Sequence, residues 1–167
     1  MPWIMAPQYP VDSRACLGYL SPMDATIDRD KLCFCCGTDN ERGLHLAITY
    51  PEKGAAESTL EVPLWFSGWK DMTHGGLLTT LLDEIMAHAC VGISQKAVTA
   101  EITVRFQKAV QTGSSIRIVG KVEEARGRVL MTRGWIYDAE GTVAAEATAR
   151  FIATTRIARS SAPESSA

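Results

Sequence analysis

Thr73-His74-Gly75-Gly76-Leu77-Leu78-Thr79-Thr80-Leu81-Leu82-Asp83-Glu84-Ile85-Met86-Ala87-His88-Ala89 is the stretch that decides how this chain folds. A polar, glycine-containing entry runs directly into an apolar pattern of helical period. At about 100° per residue, Leu77, Leu78, Leu81, Leu82, Ile85, Met86 and Ala89 fill one continuous arc, roughly half the circumference of a helix. A helix that apolar has to be wrapped by its neighbours. The remaining arc carries Thr79, Thr80, Asp83 and Ala87, so Asp83 stands among small residues with room beside its carboxylate. Glu84 lies about 100° away on the opposite flank, one turn before His88, a spacing that suits an i,i+4 pair. At the helix start no side chain is expected to cover the first N–H groups, which makes Gly75 and Gly76 a place for an anion or an oxyanion. Each glycine there costs about 1 kcal/mol of helix propensity, a cost that makes sense if bare backbone must approach a ligand closely. His74 either shares in that role or simply caps the helix.

The chain has 167 residues, 46% of them hydrophobic, and a formal net charge of −2. That is one ordinary domain, long enough for a substantial core. Charge is scattered, so no nucleic-acid partner is expected, and no run reaches the roughly eighteen apolar residues of a membrane span. Met1 to Pro10 lacks both a basic leader and an unbroken apolar segment, so no secretory signal is expected and the expected address is cytoplasmic. Five cysteines, three of them crowded at Cys33, Cys35 and Cys36, suit reduced thiols better than a disulfide framework.

Residues 1–30 read as an N-terminal extension, 31–153 as the folded domain and 154–167 as a polar tail with nothing to bury. Ahead of the helix, Leu44, Leu46, Ile48 and Tyr50 alternate with polar or small residues and predict one strand; Leu60, Val62 and Leu64 predict a second. A loop from Trp65 to Met72 delivers the chain to the helix. Beyond the helix the period changes to two. Val98, Ala100, Ile102, Val104 and Phe106 predict the inward face of a strand whose polar face holds Thr99, Glu101, Thr103 and Arg105. Three further strands are predicted around Ile116 to Val122, Leu130 to Tyr137 and Val143 to Phe151, separated by turns at Arg126-Gly127-Arg128 and Asp138 to Gly141. The expected architecture is α+β, an antiparallel sheet curled around one long helix.

That order of elements, with His74-Gly75-Gly76 and then Asp83, resembles the hotdog-fold acyl-CoA thioesterases of the phenylacetate-pathway group. Supporting pieces are Cys33-Phe34-Cys35-Cys36-Gly37-Thr38-Asp39-Asn40 leading to Gly43-Leu44, the run Phe66-Ser67-Gly68-Trp69, and Thr99 to Phe106 with Gly113 after it. Relatives often carry Asn or Gln shortly before the histidine, where this chain has Ser67 and Gly68. The resemblance implies hydrolysis of a thioester of coenzyme A or of an acyl carrier protein, in a homodimer, often paired into a tetramer, with active sites between subunits. It implies Gly75 and Gly76 N–H, with His74, as oxyanion donors in one chain, Asp83 as the base from the other, and Thr99 as a residue that orients water. Independently of the resemblance, nine residues of helix place Asp83 about 13 Å along the axis from His74. A carboxylate so far from its own helix start cannot act on a carbonyl bound there, so a second copy is required.

Glu84 is the alternative base. Arg105, Lys108, Arg126 and Arg128 are candidates for the phosphates of coenzyme A, on charge and loop position alone. No cofactor is expected. Nor is a metal: Cys33 and Cys36 have a ligand-like gap and His45 follows, but a structural zinc usually takes two spaced pairs and only one is present. The alternatives to hydrolysis are a hotdog dehydratase or hydratase, for which the Asp83 to His88 spacing is five residues, and a non-catalytic acyl-CoA-binding module.

Overall fold

The computed structural model describes residues 30–94 and 96–154. The extension and the tail read from the sequence lie almost wholly outside those residues. One long helix, α1 (Gly75–Val91), is preceded by β1 (Ala55–Glu61), β2 (Ser67–Trp69) and β3 (Met72–Thr73), and followed by β4 (Ala97–Phe106), β5 (Ser115–Arg126), β6 (Val129–Tyr137) and β7 (Val143–Ala153). Five strands form one antiparallel sheet in the order β1-β5-β6-β7-β4, and β2 and β3 pair in a small hairpin beside the helix start.

The seven apolar helix residues predicted to face inward are all buried, joined by His88 and Cys90. Their floor is built from small residues. Ala145, Ala147 and Ala149 on β7 and Gly120 and Gly134 on β5 and β6 leave the sheet low under the helix. At Gly120 the approach is closest: a Cβ there would lie 2.6 Å from the Ile85 carbonyl oxygen and 3.0 Å from Met86 N. Ile116, Ile118, Leu130, Ile136 and Phe151 close around this contact and are essentially inaccessible.

Three expectations are corrected. Leu46, Ile48 and Tyr50 are buried and the residues between them exposed, as the alternation predicted, but among the described residues the segment forms only a single bridge, Thr49 to Glu57. Its other backbone bonds go to the cysteine loop, Leu44 N–H to Phe34 O and Leu46 N–H to Cys35 O, and His45 at φ 50° interrupts the extended run. The strand predicted from Leu60 to Leu64 starts earlier, at Ala55, and ends at Glu61; after Pro63 the chain enters a short 3-10 turn with Leu64 exposed. On β4 the predicted parity holds for only half the strand. The pairing with β7 slips between Thr99 and Glu101, so Ala100 is an extra residue. Ile102 and Val104 face the core as expected, but before the bulge it is Ala97 and Thr99 that face the helix, and Val98 is turned out to solvent.

Replacing Gly120 with alanine tests the close packing of helix on sheet. The added methyl has only backbone to displace, so Gly120→Ala is expected to cost about 1 to 3 kcal/mol, read as a lower denaturant midpoint with an unchanged slope.

Candidate active site

Two chemically distinct places lie on the exposed flank of α1. The first is its N-terminus. His74 is the N-cap, and its Nδ1 accepts the Gly76 N–H at 2.9 Å. This corrects the expectation that the first N–H groups are uncovered: Gly76 is taken. Gly75 N–H makes no hydrogen bond among the described residues. Because Nδ1 is the acceptor, neutral His74 carries its proton on Nε2, which makes that atom a second donor. The donors in hand are therefore Gly75 N–H and His74 Nε2–H. They border an open cleft of about 400 Å³ lined by Gly68, Trp69, His74, Gly75, Phe106 and Lys108. Gly68 has to be glycine, since a Cβ would lie 2.9 Å from His74 Cα, and the Phe106 ring rests against Gly75.

The second place is two turns on. Thr99 Oγ1–H donates to Asp83 Oδ1 at 2.7 Å, a contact that exists because the bulge at Ala100 turns Thr99 toward the helix. Asp83 is half-buried, flanked by the partly exposed Thr79, Thr80 and Ala87. Burial pushes its pKa up, the Thr99 hydrogen bond opposes this, and the neighbouring Glu84 charge adds to the rise. Glu84 differs in kind. Its side chain is 17% exposed and lies 3.2 Å from His88 Nε2, while His88 Nδ1 is 2.6 Å from the Tyr50 hydroxyl. Burial raises the Glu84 pKa, but hydrogen bonds from His88, Cys36 and Cys33 and the charge of His88 together bring it below its ordinary value. The predicted i,i+4 pair of Glu84 and His88 is present. So positioned, His88 faces Tyr50 and Glu84 and does not join Asp83.

The basic candidates separate. Lys108 borders the cleft but is ion-paired with Asp138 and, at 3.7 Å, with Glu140; the Asp138 contact raises its pKa. Arg105 is exposed on β4 opposite Glu146. Arg126 and Arg128 flank the β5–β6 turn beside Ile152, whereas Gly75 lies at the Phe106 and Ala145 end of the sheet. Arg128 Nε–H is also engaged, donating to Ala153 O at 2.8 Å. One chain thus does not gather these four cations at the cleft. The sequence reading missed Phe106 and Gly68 as site residues. Gly68 beside Trp69, just before the histidine, was the available signal; Phe106 had none beyond its strand position.

Residues 71–145, which span the helix and both places, match the model of the thioesterase superfamily. Over those residues the chain is similar to that superfamily. A curated relative, the acyl-coenzyme A thioesterase THEM4 of Xenopus laevis, is 26% identical over 153 residues, 90% of this chain and 67% of the relative. Among solved structures, a thioesterase superfamily protein superposes with a TM-score of 0.69 at 21% identity, covering 73% of this chain and 60% of that one. The E. coli PaaI protein from the phenylacetic acid degradation operon does so with a TM-score of 0.64 at 20% identity, covering 68% and 83%. At those identities the structural likeness establishes the fold, which is the hotdog fold, and thioester hydrolysis is the activity that the family match and the curated relative support.

Thr99 and Asp83 can be tested without substrate. The raised pKa of Asp83 means that ionising it costs the fold stability: its contribution is present below the unfolded value and lost as pH rises through the folded one. Thr99→Val removes the contact that opposes the shift, so the Asp83 carboxyl titration followed by carbon NMR is expected to move to still higher pH. A downward move would contradict the assignment.

Proposed function

We propose that this protein hydrolyses an acyl thioester, with acyl-coenzyme A as the first class of substrate to try and acyl carrier protein as the second, in a homodimer whose two sites each draw on both subunits. The observation that carries this reading is the division of one helix flank into a donor end and an acid. Gly75 N–H is unpartnered among the described residues and borders the cleft, and Asp83 is eight residues along, about 12 Å in axial rise. No single chain can bring that carboxylate to a carbonyl held at Gly75. The sheet supports a second copy, because β4 is a ten-residue edge strand with Val98 60% and Phe106 52% exposed. An edge of that length, unpaired among the described residues and with two large apolar side chains exposed on it, is stabilised by association.

In the proposed reaction the thioester carbonyl lies at the N-terminus of α1, and Gly75 N–H with His74 Nε2–H receives the developing oxyanion. One well-placed donor of this kind contributes about 3 to 4 kcal/mol to the barrier. Asp83 of the second subunit, held by its Thr99 hydroxyl, takes a proton from water. The new C–O bond forms, the tetrahedral intermediate expels the thiolate, and the proton passes to sulfur. A dehydratase reading would need His88 beside Asp83; its engagement by Tyr50 and Glu84 speaks against it. We place the activity in the cytoplasm.

Thiol release over a panel of acyl-coenzyme A esters is the direct test. Asp83→Asn keeps volume and removes the proton acceptor, so turnover is expected to fall by roughly 10² to 10⁴ while substrate binding persists. In wild type the turnover should rise along one acidic limb set by the raised Asp83 pKa, and that limb should vanish in the variant. Bound acyl-coenzyme A without turnover in wild type would instead mean a binding module.

Assembly is tested separately. Sedimentation at assay concentration should find a dimer or a tetramer, and an active monomer would refute the shared site.

A further inference from the structure

The cysteine-rich segment before the first strand meets the helix on the flank opposite Asp83. We propose that Cys33, Cys36 and Glu84 form a site for one divalent cation of the zinc class, joining that segment to α1. The two Sγ atoms and a Glu84 carboxylate oxygen all lie within 4.8 Å of one another. Ligand atoms of a tetrahedral zinc site with sulfur and oxygen donors sit about 3.4 to 3.8 Å apart. Cys33 Sγ is already 3.7 Å from Glu84 Oε1, so only a small inward movement is needed.

The backbone around the first cysteine holds its sulfur in place. Cys35 N–H donates to Cys33 Sγ at 3.4 Å, and Gly37 N–H closes the turn on Cys33 O at 2.9 Å. The turn needs glycine at its end, since a Cβ on Gly37 would lie 2.4 Å from Lys31 O and 2.5 Å from Cys33 O. Cys33 and Cys36 are partly exposed and share one side with Glu84, while the intervening Cys35 is 1% exposed and packs into the core. The carboxylate is itself held: the same Oε1 lies 3.2 Å from His88 Nε2, and the Tyr50 hydroxyl 2.6 Å from Nδ1 fixes the ring in turn, the outer hydrogen-bonded support that metal ligands typically have.

The sequence offers only one spaced cysteine pair. The third donor comes from 51 residues away, which is why it is visible only in three dimensions. His45, the nearest histidine in sequence, is exposed and plays no part. Two sulfurs and one carboxylate favour zinc over magnesium or calcium, which prefer all-oxygen sites. Three protein ligands leave the fourth position to water. Binding replaces both thiol protons, so two protons are released per ion.

The test uses the full chain, reduced and stripped with chelator, then titrated with cobalt(II) and with zinc. One cobalt per chain should bind with a thiolate-to-cobalt charge-transfer band, and one equivalent of zinc should displace it. Cys33→Ser and Cys36→Ser should lose the band, and His88→Gln should keep it with affinity lowered about 10- to 100-fold. A second readout needs no variant: saturating zinc should protect Cys33 and Cys36 of wild type from alkylation, followed by mass spectrometry. Absence of the band, its survival in both serine variants, or undiminished alkylation of Cys33 and Cys36 under zinc would overturn the proposal. None of these readouts depends on turnover, so the site and the hydrolase reading stand or fall separately.

Discussion

The contact on which the rest of the structure depends is the seating of α1 against Gly120, Gly134 and the alanines of β7. Larger residues at those positions would lift the helix off the sheet, since even a methyl at Gly120 meets backbone. Seated low, the helix has its apolar arc fully buried, and only the flank of Thr79, Thr80, Asp83 and Ala87 remains open beside β4. The position of Asp83 is therefore a consequence of packing: the helix cannot rotate without exposing leucines worth about 1.5 to 3 kcal/mol each when buried.

The same rigid seating separates two adjacent acids. Asp83 and Glu84 follow one another in sequence yet point about 100° apart on the helix, one toward Thr99 at the open edge and the other toward His88 and the thiols. The Asp83 pKa is raised by burial, and the Glu84 pKa is drawn down by its partners. Oppositely shifted neighbours are how a fold assigns different tasks to like groups. A carboxylate that is short of hydrogen bonds and beside open space suits proton transfer; one surrounded by donors suits anchoring.

Much of this was legible in one dimension. The helix announced itself because seven apolar residues at period 3.6 have no comparable reading as a strand, and the four strands after it followed from period-two patterns between recognisable turns. Asp83 stood out by the size of its neighbours. Features that depend on a local exception or on contacts distant in sequence were not legible. Alternation placed Thr99 on the polar face, and a single bulged residue, Ala100, reversed it. Leu46, Ile48 and Tyr50 alternate correctly in burial, but their segment lacks a strand partner for a continuous ladder among the described residues, so periodicity reported the face and not the pairing. His74 takes the Gly76 N–H, a choice between cap and ligand donor that side-chain rotation decides and composition does not.

These exceptions bear on how the proposed site is built. Capping removes Gly76 from the donor set but fixes the His74 tautomer, exchanging one backbone donor for a side-chain donor at the same helix end. The bulge turns Thr99 toward Asp83, and the hydroxyl restrains a carboxylate that small neighbours would otherwise leave loose. Both devices orient groups that lie about 12 Å apart on one helix and that cannot meet within one chain. Orientation of that kind has a chemical use only if the complementary half is presented from outside, and the exposed edge of β4, which carries Thr99 and ends at the Phe106 ring against Gly75, runs between the two places. A second copy paired along that edge is the arrangement in which each chain's donor end and the other chain's acid can serve one bound thioester.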